Sequence, residues 1–238
     1  MDLAPLFFRL CAESSDGATT YLGTAFPVAP GGGLLTCRHV VKSLPRDSIL
    51  AVHDYRGVRL AQVSAEPVYP SDPLVDLAFL PDTLSSTKPE FFPILVPSDL
   101  KVGEDVYSFG FFALGGGDSE IEHGFFAGKI VSFFGHQNVV GRTSMLLPYA
   151  VLEGMSGSPV LTYHNGPKLV GLAIGNRASR ILAHEVSSFE DDQERFTETI
   201  HRVVEFGVAL HAAAIIGFLS EAGVPCVVSS KRVQVPGL

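Results

Sequence analysis

Three short segments carry residue types that could do nucleophilic chemistry. The first is Gly23-Thr24-Ala25-Phe26-Pro27-Val28, followed after a glycine-rich turn by Gly33-Leu34-Leu35-Thr36-Cys37-Arg38-His39-Val40-Val41, which predicts a strand ending at an imidazole. The second, Asp76-Leu77-Ala78-Phe79-Leu80, sets an acid at the head of an apolar strand. The third, Gly154-Met155-Ser156-Gly157-Ser158-Pro159-Val160, brackets a serine with glycines and runs into another strand. Acyl transfer needs a hydroxyl nucleophile, an imidazole to take its proton, and an acid to fix the imidazole tautomer. It also needs N–H donors where the oxyanion develops, and Gly154 and Gly157 let backbone amides approach without a Cβ in the way. Each fragment alone is weak. Together, in one chain, they are specific.

At these residues the sequence resembles the chymotrypsin-like, or trypsin-like, serine peptidases, and most of all the bacterial HtrA/Deg branch without its appended PDZ modules. G-T-A-F and L-L-T-C-R-H-V-V are similar to that family's G-S-G-F and I-L-T-N-x-H-V-V. Asp76-Leu77-Ala78 matches its D-L-A, and Gly154–Val160 matches G-N-S-G-G-P followed by an apolar residue. Leu169-Val170-Gly171-Leu172-Ala173 resembles the strand after the nucleophile, and Gly207-Val208-Ala209 the closing strand before a terminal helix. The order His, Asp, Ser agrees, with 37 residues from His39 to Asp76 and 80 from Asp76 to Ser156.

The resemblance implies an all-β fold of two packed six-stranded antiparallel barrels with a C-terminal helix. Residues 1–95 would form the N-terminal barrel, 96–222 the C-terminal barrel and helix, and 223–238 a tail, all one peptidase unit. His39 would be the general acid/base, Asp76 its orienting carboxylate and Ser156 the nucleophile. The N–H groups of Gly154 and Ser156 would form the oxyanion hole. Ala150, Ala173 and Ile174 would bind substrate, and Ala150 at the pocket base points to a small or apolar P1 residue rather than Lys or Arg. Two positions depart from the pattern: Ser158 replaces the second glycine, and Met155 is expected at the pocket rim. The implied activity is a serine endopeptidase acting on protein or peptide, with a regulatory protein partner, in bacterial stress or antiphage defence. A silent binding module of the same fold is the alternative, and an esterase a more distant one. An α/β-hydrolase elbow is disfavoured because Pro159 opens a β-prone run where a helix is needed.

Other readings of the same residues are plainer. Asp72 precedes Pro73 and fits a turn cap, so Asp76 is the better acid. Cys37 shares a strand face with His39 but reads as packing. His53, His123, His136, His164, His184, His201 and His211 lack any comparable context. No His, Cys and Asp cluster has ligand spacing, and neither glycine triplet is a phosphate loop, so no metal or cofactor is expected.

The elements that must hold these residues read as β. Short apolar runs alternate with Gly, Pro, Asp and Ser clusters at sandwich or barrel spacing. One helix is predicted, His211 to Glu221, with Ala214, Ile215, Phe218 and Leu219 on one face and Gly223 beyond its end. Asn176 to His201, the most polar stretch, is expected to be a solvated loop or a short surface helix. That segment and the glycine-rich Leu114–Glu122 are the candidate docking surfaces.

Composition narrows the classes. Of 238 residues 46% are hydrophobic and 18% charged, too apolar for a disordered chain. Lys+Arg 17 against Asp+Glu 25 leaves a net charge of −8, which argues against nucleic acid and anionic membranes as partners. The longest apolar run, Phe206 to Leu219, is 14 residues, short of the roughly 20 a membrane helix needs. Asp2 and Pro5 near the start, with Arg9 after the apolar residues, do not suit a secretory leader. Cys11, Cys37 and Cys226, an odd and widely spaced set, fit reduced thiols and a cytoplasmic protein.

Overall fold

A computed structural model describes residues 6–84, 89–113, 121–135, 143–163, 165–190 and 193–230, with the backbone alone at 143 and 181–198. The first sheet has six strands: β1 (Phe8–Ser14), β2 (Thr19–Pro27), β3 (Leu34–Thr36), β4 (Ser48–His53), β5 (Arg59–Gln62) and β6 (Ala78–Leu80). They lie in the order β5-β4-β1-β2-β3-β6, antiparallel throughout. These strands bury Leu10, Phe26, Leu34, Leu35, Val52 and Leu80 completely. Successive side chains point to opposite faces, so β3, buried at all three residues, is covered on both.

The second sheet is made of β8 (Asp105–Ala113), β9 (Ile121–Lys129), β10 (Ser132–Gly135), β11 (Thr143–Leu147), β12 (Pro159–Tyr163), β13 (Pro167–Glu190) and β14 (Gln193–His211). The order is β10-β11-β14-β13-β12-β8-β9. Only Ile130 and Val131 separate β9 from β10, and their amides reach Glu104 and Leu146 on opposite ends of that order. The path therefore closes into a barrel, with β9 and β10 as one strand bent at a corner. Two short strands, β7 (Ile94–Leu95) and β15 (Val228–Ser229), join it in parallel pairing and raise this sheet to nine strands, beyond the expected six. The double-barrel fold ends in the expected helix, α2 (Ala212–Glu221). His211 caps it, its Nδ1 accepting the Ala213 N–H at 3.2 Å, and burial holds that imidazole's pKa below the usual value. Ile215, Phe218 and Leu219 pack into the main core.

One expectation is overturned outright. Asn176–His201 forms neither a loop nor a helix: β13 and β14 pair continuously from Gly175↔Val208 out to Glu190↔Gln193. Beyond Asn176 this ribbon has no further strand beside it among the described pairs. Arg177 to Glu190 would span roughly 45 Å when extended. Runs such as Ile181-Leu182-Ala183 and Val203-Val204 break any period-two pattern, so the strand character comes from the pairing of β13 with β14. Of Leu114–Glu122, all but the last two residues lie outside the described residues, as do the tail from Lys231 and the histidines 136 and 164. Among the described residues, no helix is long and apolar enough to cross a membrane.

Candidate active site

His39 does not close a strand. β3 stops at Thr36, and His39 sits in the first turn of a short helix, α1 (Arg38–Lys42). Cys37 at the N-cap gives no side-chain cap. The cap comes from across the fold: Asp76 Oδ1 accepts the His39 N–H at 2.9 Å, while Oδ2 meets His39 Nδ1 at 2.6 Å. Two bonds to one residue fix the ring's position and its tautomer, with Nδ1 as donor and Nε2 left as a base. Burial alone would push the Asp76 carboxyl up. The hydrogen bonds from the His39 ring and backbone, its charge, and the Arg38 N–H outweigh that and hold the pKa below the ordinary carboxylate value. Asp72 turns out to cap the preceding turn, accepting the Leu74 N–H at 3.0 Å.

That depressed pKa has a testable sign. Stabilisation by ionised Asp76 is present above its unfolded pKa and is lost as pH falls through the folded one. Denaturant titrations of wild type and Asp76→Asn should show a stability gap that is constant from about pH 7 to about pH 5. The gap should close as pH drops below the usual carboxylate range. A gap independent of pH down to about 2 would exclude this role.

Ser156 lies on the turn between β11 and β12, held against the first sheet. Thr24 donates its N–H to the Ser156 carbonyl at 2.9 Å. A Cβ placed on Gly23 would sit 2.7 Å from Val40 Cγ2 and 3.0 Å from the Ser156 oxygen, so the Ser156 backbone and the neighbour of His39 flank one point. The Ala173 carbonyl ties the two segments again, accepting the Gly157 N–H at 2.9 Å and the Cys37 thiol at 3.4 Å. Thus the Ser156 turn and the segment that carries His39, more than 100 residues apart in sequence, come together at the junction of the two sheets.

The backbone amides of the turn divide into two kinds. Met155 donates to Leu152, Gly157 to Ala173 and Ser158 to Met155. Those of Gly154 and Ser156 meet no acceptor among the described residues. Amides without a protein acceptor are open to a ligand, so those of Gly154 and Ser156 can donate to an anionic oxygen. Gly154 takes φ +93°, which a side chain would disfavour, and its carbonyl is turned inward to Tyr21 Oη at 2.7 Å and Thr24 Oγ1 at 3.1 Å. That carbonyl fixes the Gly154–Met155 peptide, while the peptide carrying the Gly154 N–H is held by the Glu153 carbonyl, which accepts the Ala113 N–H at 3.1 Å.

Other residues support this geometry without any local motif to mark them. The Arg38 guanidinium donates to the carbonyls of Pro70 and Pro73 at 2.7 and 3.0 Å and lies over the Tyr69 ring, gripping the loop that delivers Asp76. Glu221 at the end of α2 accepts the Ser71 N–H at 3.0 Å on the same loop. The Tyr21 hydroxyl is buried, which pushes its pKa far up, so it stays a donor. Tyr21→Phe removes one of two bonds to the Gly154 carbonyl and leaves Thr24 as the other. A loss of about 1.4 kcal/mol, hence a roughly tenfold slower acylation of Ser156 with the fold intact, is the expected result. Unchanged acylation kinetics in that variant would remove Tyr21 from the site.

Of the expected substrate-binding residues, Ala150 and Ile174 are partly exposed. Ala173 is not a lining residue: it is fully buried, its amide and carbonyl both engaged by the serine turn. Met155 is likewise buried in the second core, away from any rim, with Sδ accepting the Leu152 N–H at 3.4 Å. An inward Met is what a second barrel filled by Met145, Leu147, Val151 and Val160 selects. Asn176 clamps the Val151 backbone on both sides, at 2.7 and 2.8 Å, stiffening the wall next to Ala150.

The fold also assembles a group that sequence spacing hides. Ligand atoms of Cys37, His39 and Asp76 lie within 4.8 Å of one another, close enough to hold a cation. Burial, then the Asp76 charge, pushes the Cys37 thiol well up, which disfavours the thiolate that metal ligation needs.

The two sheets and this site define a protein class. The chain belongs to the trypsin-like peptidase domain family, whose model matches residues 23–172. No curated protein matches the sequence. Among solved structures it is similar to an HtrA-type protease, AlgW, with decapeptide, at TM-score 0.59 and 18% identity over 92% of this chain. It spans 66% of that AlgW chain, just under two thirds. It is also similar to the MamO protease domain from Magnetospirillum magneticum in its apo form, at TM-score 0.55 and 17% identity, covering 90% of this chain and 96% of that one.

Proposed function

We propose that this protein is a serine endopeptidase working through an acyl-enzyme. The observation that carries the reading is the Ser156 turn, whose Gly154 and Ser156 amides meet no acceptor among the described residues, held by Thr24 on the sheet that also carries the Asp76-bound His39. His39 Nε2 takes the Ser156 Oγ proton as Oγ bonds to the scissile carbonyl carbon. The carbonyl oxygen, now an oxyanion, receives the N–H groups of Gly154 and Ser156. Collapse breaks the C–N bond, and His39 gives its proton to the leaving amine. Water, deprotonated by the same ring, then hydrolyses the ester and returns the proton to Oγ.

AlgW's bound decapeptide supports a peptide as substrate class. Ala150 at the pocket base, beside Val151 and the Asn176 clamp, supports a small or apolar P1 side chain. A P1 library profile dominated by Arg or Lys would overturn that preference. The β13–β14 ribbon, with edges open to a further strand, supports control by a protein partner. Such partnered proteases suit bacterial stress or antiphage defence. Cys11, Cys37 and Cys226, none of them in a disulfide, suit the cytoplasm.

A fluorophosphonate probe tests the reading. The expected result is one covalent adduct, mapped to Ser156 and lost in His39→Ala. Absence of any adduct, with substrate or a partner that binds the β13–β14 ribbon present, would instead leave a binding module of the same fold.

A further inference from the structure

A cavity of about 240 Å³ lies between β1, β2 and β4 of the first sheet and the start of β9, lined by Arg9, Cys11, Thr19, Tyr21, His53, Gly57 and Ile121. Its only fixed cation is unsatisfied. Arg9 Nη2 donates to the Tyr55 carbonyl at 2.8 Å and more weakly to that of Ile121 at 3.4 Å. Nε is buried without a partner, and among the described residues Nη1 meets no acceptor and the guanidinium joins no ion pair. The nearby carboxylate that could neutralise it is taken: Glu13 binds His53 Nε2 at 2.9 Å and Arg59 Nε at 3.0 Å. A half-buried guanidinium with no counter-charge among the described residues, and with Nη1 unbonded there, is costly, and an anion in the cavity would supply the charge and an acceptor for Nη1.

The remaining walls limit what that anion can be. Tyr21, Ile121 and Cys11 offer apolar surface, and one guanidinium balances one negative charge. A phosphate dianion would leave excess charge beside Glu13, whereas a monocarboxylate with a short apolar tail matches both wall and charge.

The cavity also touches the machinery of the serine turn. The Arg9 guanidinium lies 5.0 Å over the Phe111 ring, and that ring meets Tyr21 edge-on at 6.5 Å. Phe111 donates its N–H to Thr24 Oγ1 at 3.3 Å, and both Tyr21 and Thr24 hold the Gly154 carbonyl. We propose that this cavity binds a small monocarboxylate through Arg9, and that occupancy stiffens Tyr21 and so the Gly154 turn. The coupling to activity rests on the peptidase reading; the binding does not.

Sodium butyrate is the probe, with butyramide and sodium phosphate as neutral and dianionic controls. Butyrate should raise the melting temperature in a saturable way, and butyramide and phosphate should not. Arg9→Gln should abolish the shift. Because that variant could misfold, Thr19→Phe, which plugs the exposed rim and leaves Arg9 intact, should abolish it as well. Amide hydrogen exchange in the 152–158 peptide should slow about threefold on saturation, and Tyr21→Phe should remove that slowing. No shift that depends on Arg9, or an equal shift with phosphate, rejects the site as an adventitious anion contact. Binding without slower exchange rejects the coupling. Binding and slower exchange with no fluorophosphonate adduct would uphold the site and refute the peptidase assignment alone.

Discussion

Ser156→Ala should abolish turnover while the protein stays folded. The Ser156 side chain makes no hydrogen bond that the fold depends on, whereas its carbonyl and the neighbouring amides, which a change to Ala preserves, do the structural work. Removing the nucleophile of such a triad costs on the order of 10⁶ in kcat, and what remains comes from the oxyanion donors and binding. Cleavage of a small-P1 peptide, with the melting temperature of the variant measured alongside, checks both halves. The melting temperature should move by no more than a few degrees. Cleavage at the wild-type rate would sink the acyl-enzyme mechanism, and loss of both activity and fold would make the variant uninformative about Oγ, leaving the fluorophosphonate adduct to decide.

The second large effect is on folding. Gly157 adopts φ +89°, and a Cβ there would lie 2.0 Å from the Thr24 carbonyl oxygen and 2.5 Å from Thr36 Oγ1. Neither obstacle can step aside cheaply. Thr24 belongs to β2 and its carbonyl already accepts the Thr36 hydroxyl at 2.7 Å, all of it buried. Gly157→Ala therefore combines left-handed backbone strain with a clash against main chain, about 3–5 kcal/mol together. For a protein of this size that corresponds to a melting point lower by roughly 10 °C or more, read by thermal unfolding. The neighbouring Gly166→Ala is the control. Its φ is +105° but nothing lies within 4 Å, so it should cost only the backbone term. Equal losses in the two variants would mean that packing against Thr24 contributes nothing.

Much of this molecule is local in origin. The helix over 212–221 follows from one apolar face and a glycine beyond its end, and the strands through 19–27, 34–36, 48–53 and 159–163 follow from short β-prone runs and bounding turns. His39, Asp76 and Ser156 stood out because a nucleophile, a base and an acid each sit in a short pattern. The ribbon over 176–206 escaped because its stability is a matter of partner strands, and charge clustering in sequence mimics a loop. Arg38 and Tyr21 escaped for a related reason. Their hydrogen-bond partners are carbonyls 32 to 133 residues away, and a carbonyl carries no residue-type signature.

By itself, then, the sequence determined the chemistry available, the β character, the terminal helix and the turn that presents a serine. Those depend on side-chain type and on interactions within a few residues, where spacing is information. Tertiary structure alone decided that His39 rides a one-turn helix capped by Asp76 and that Met155 and Ala173 face inward. It also decided that Arg9, without an ion-pair partner among the described residues, lines a cavity beside Tyr21. Each of these depends on which distant backbone and side-chain groups meet when two sheets pack, and burial then sets which polar groups must be satisfied and which are left open to a ligand.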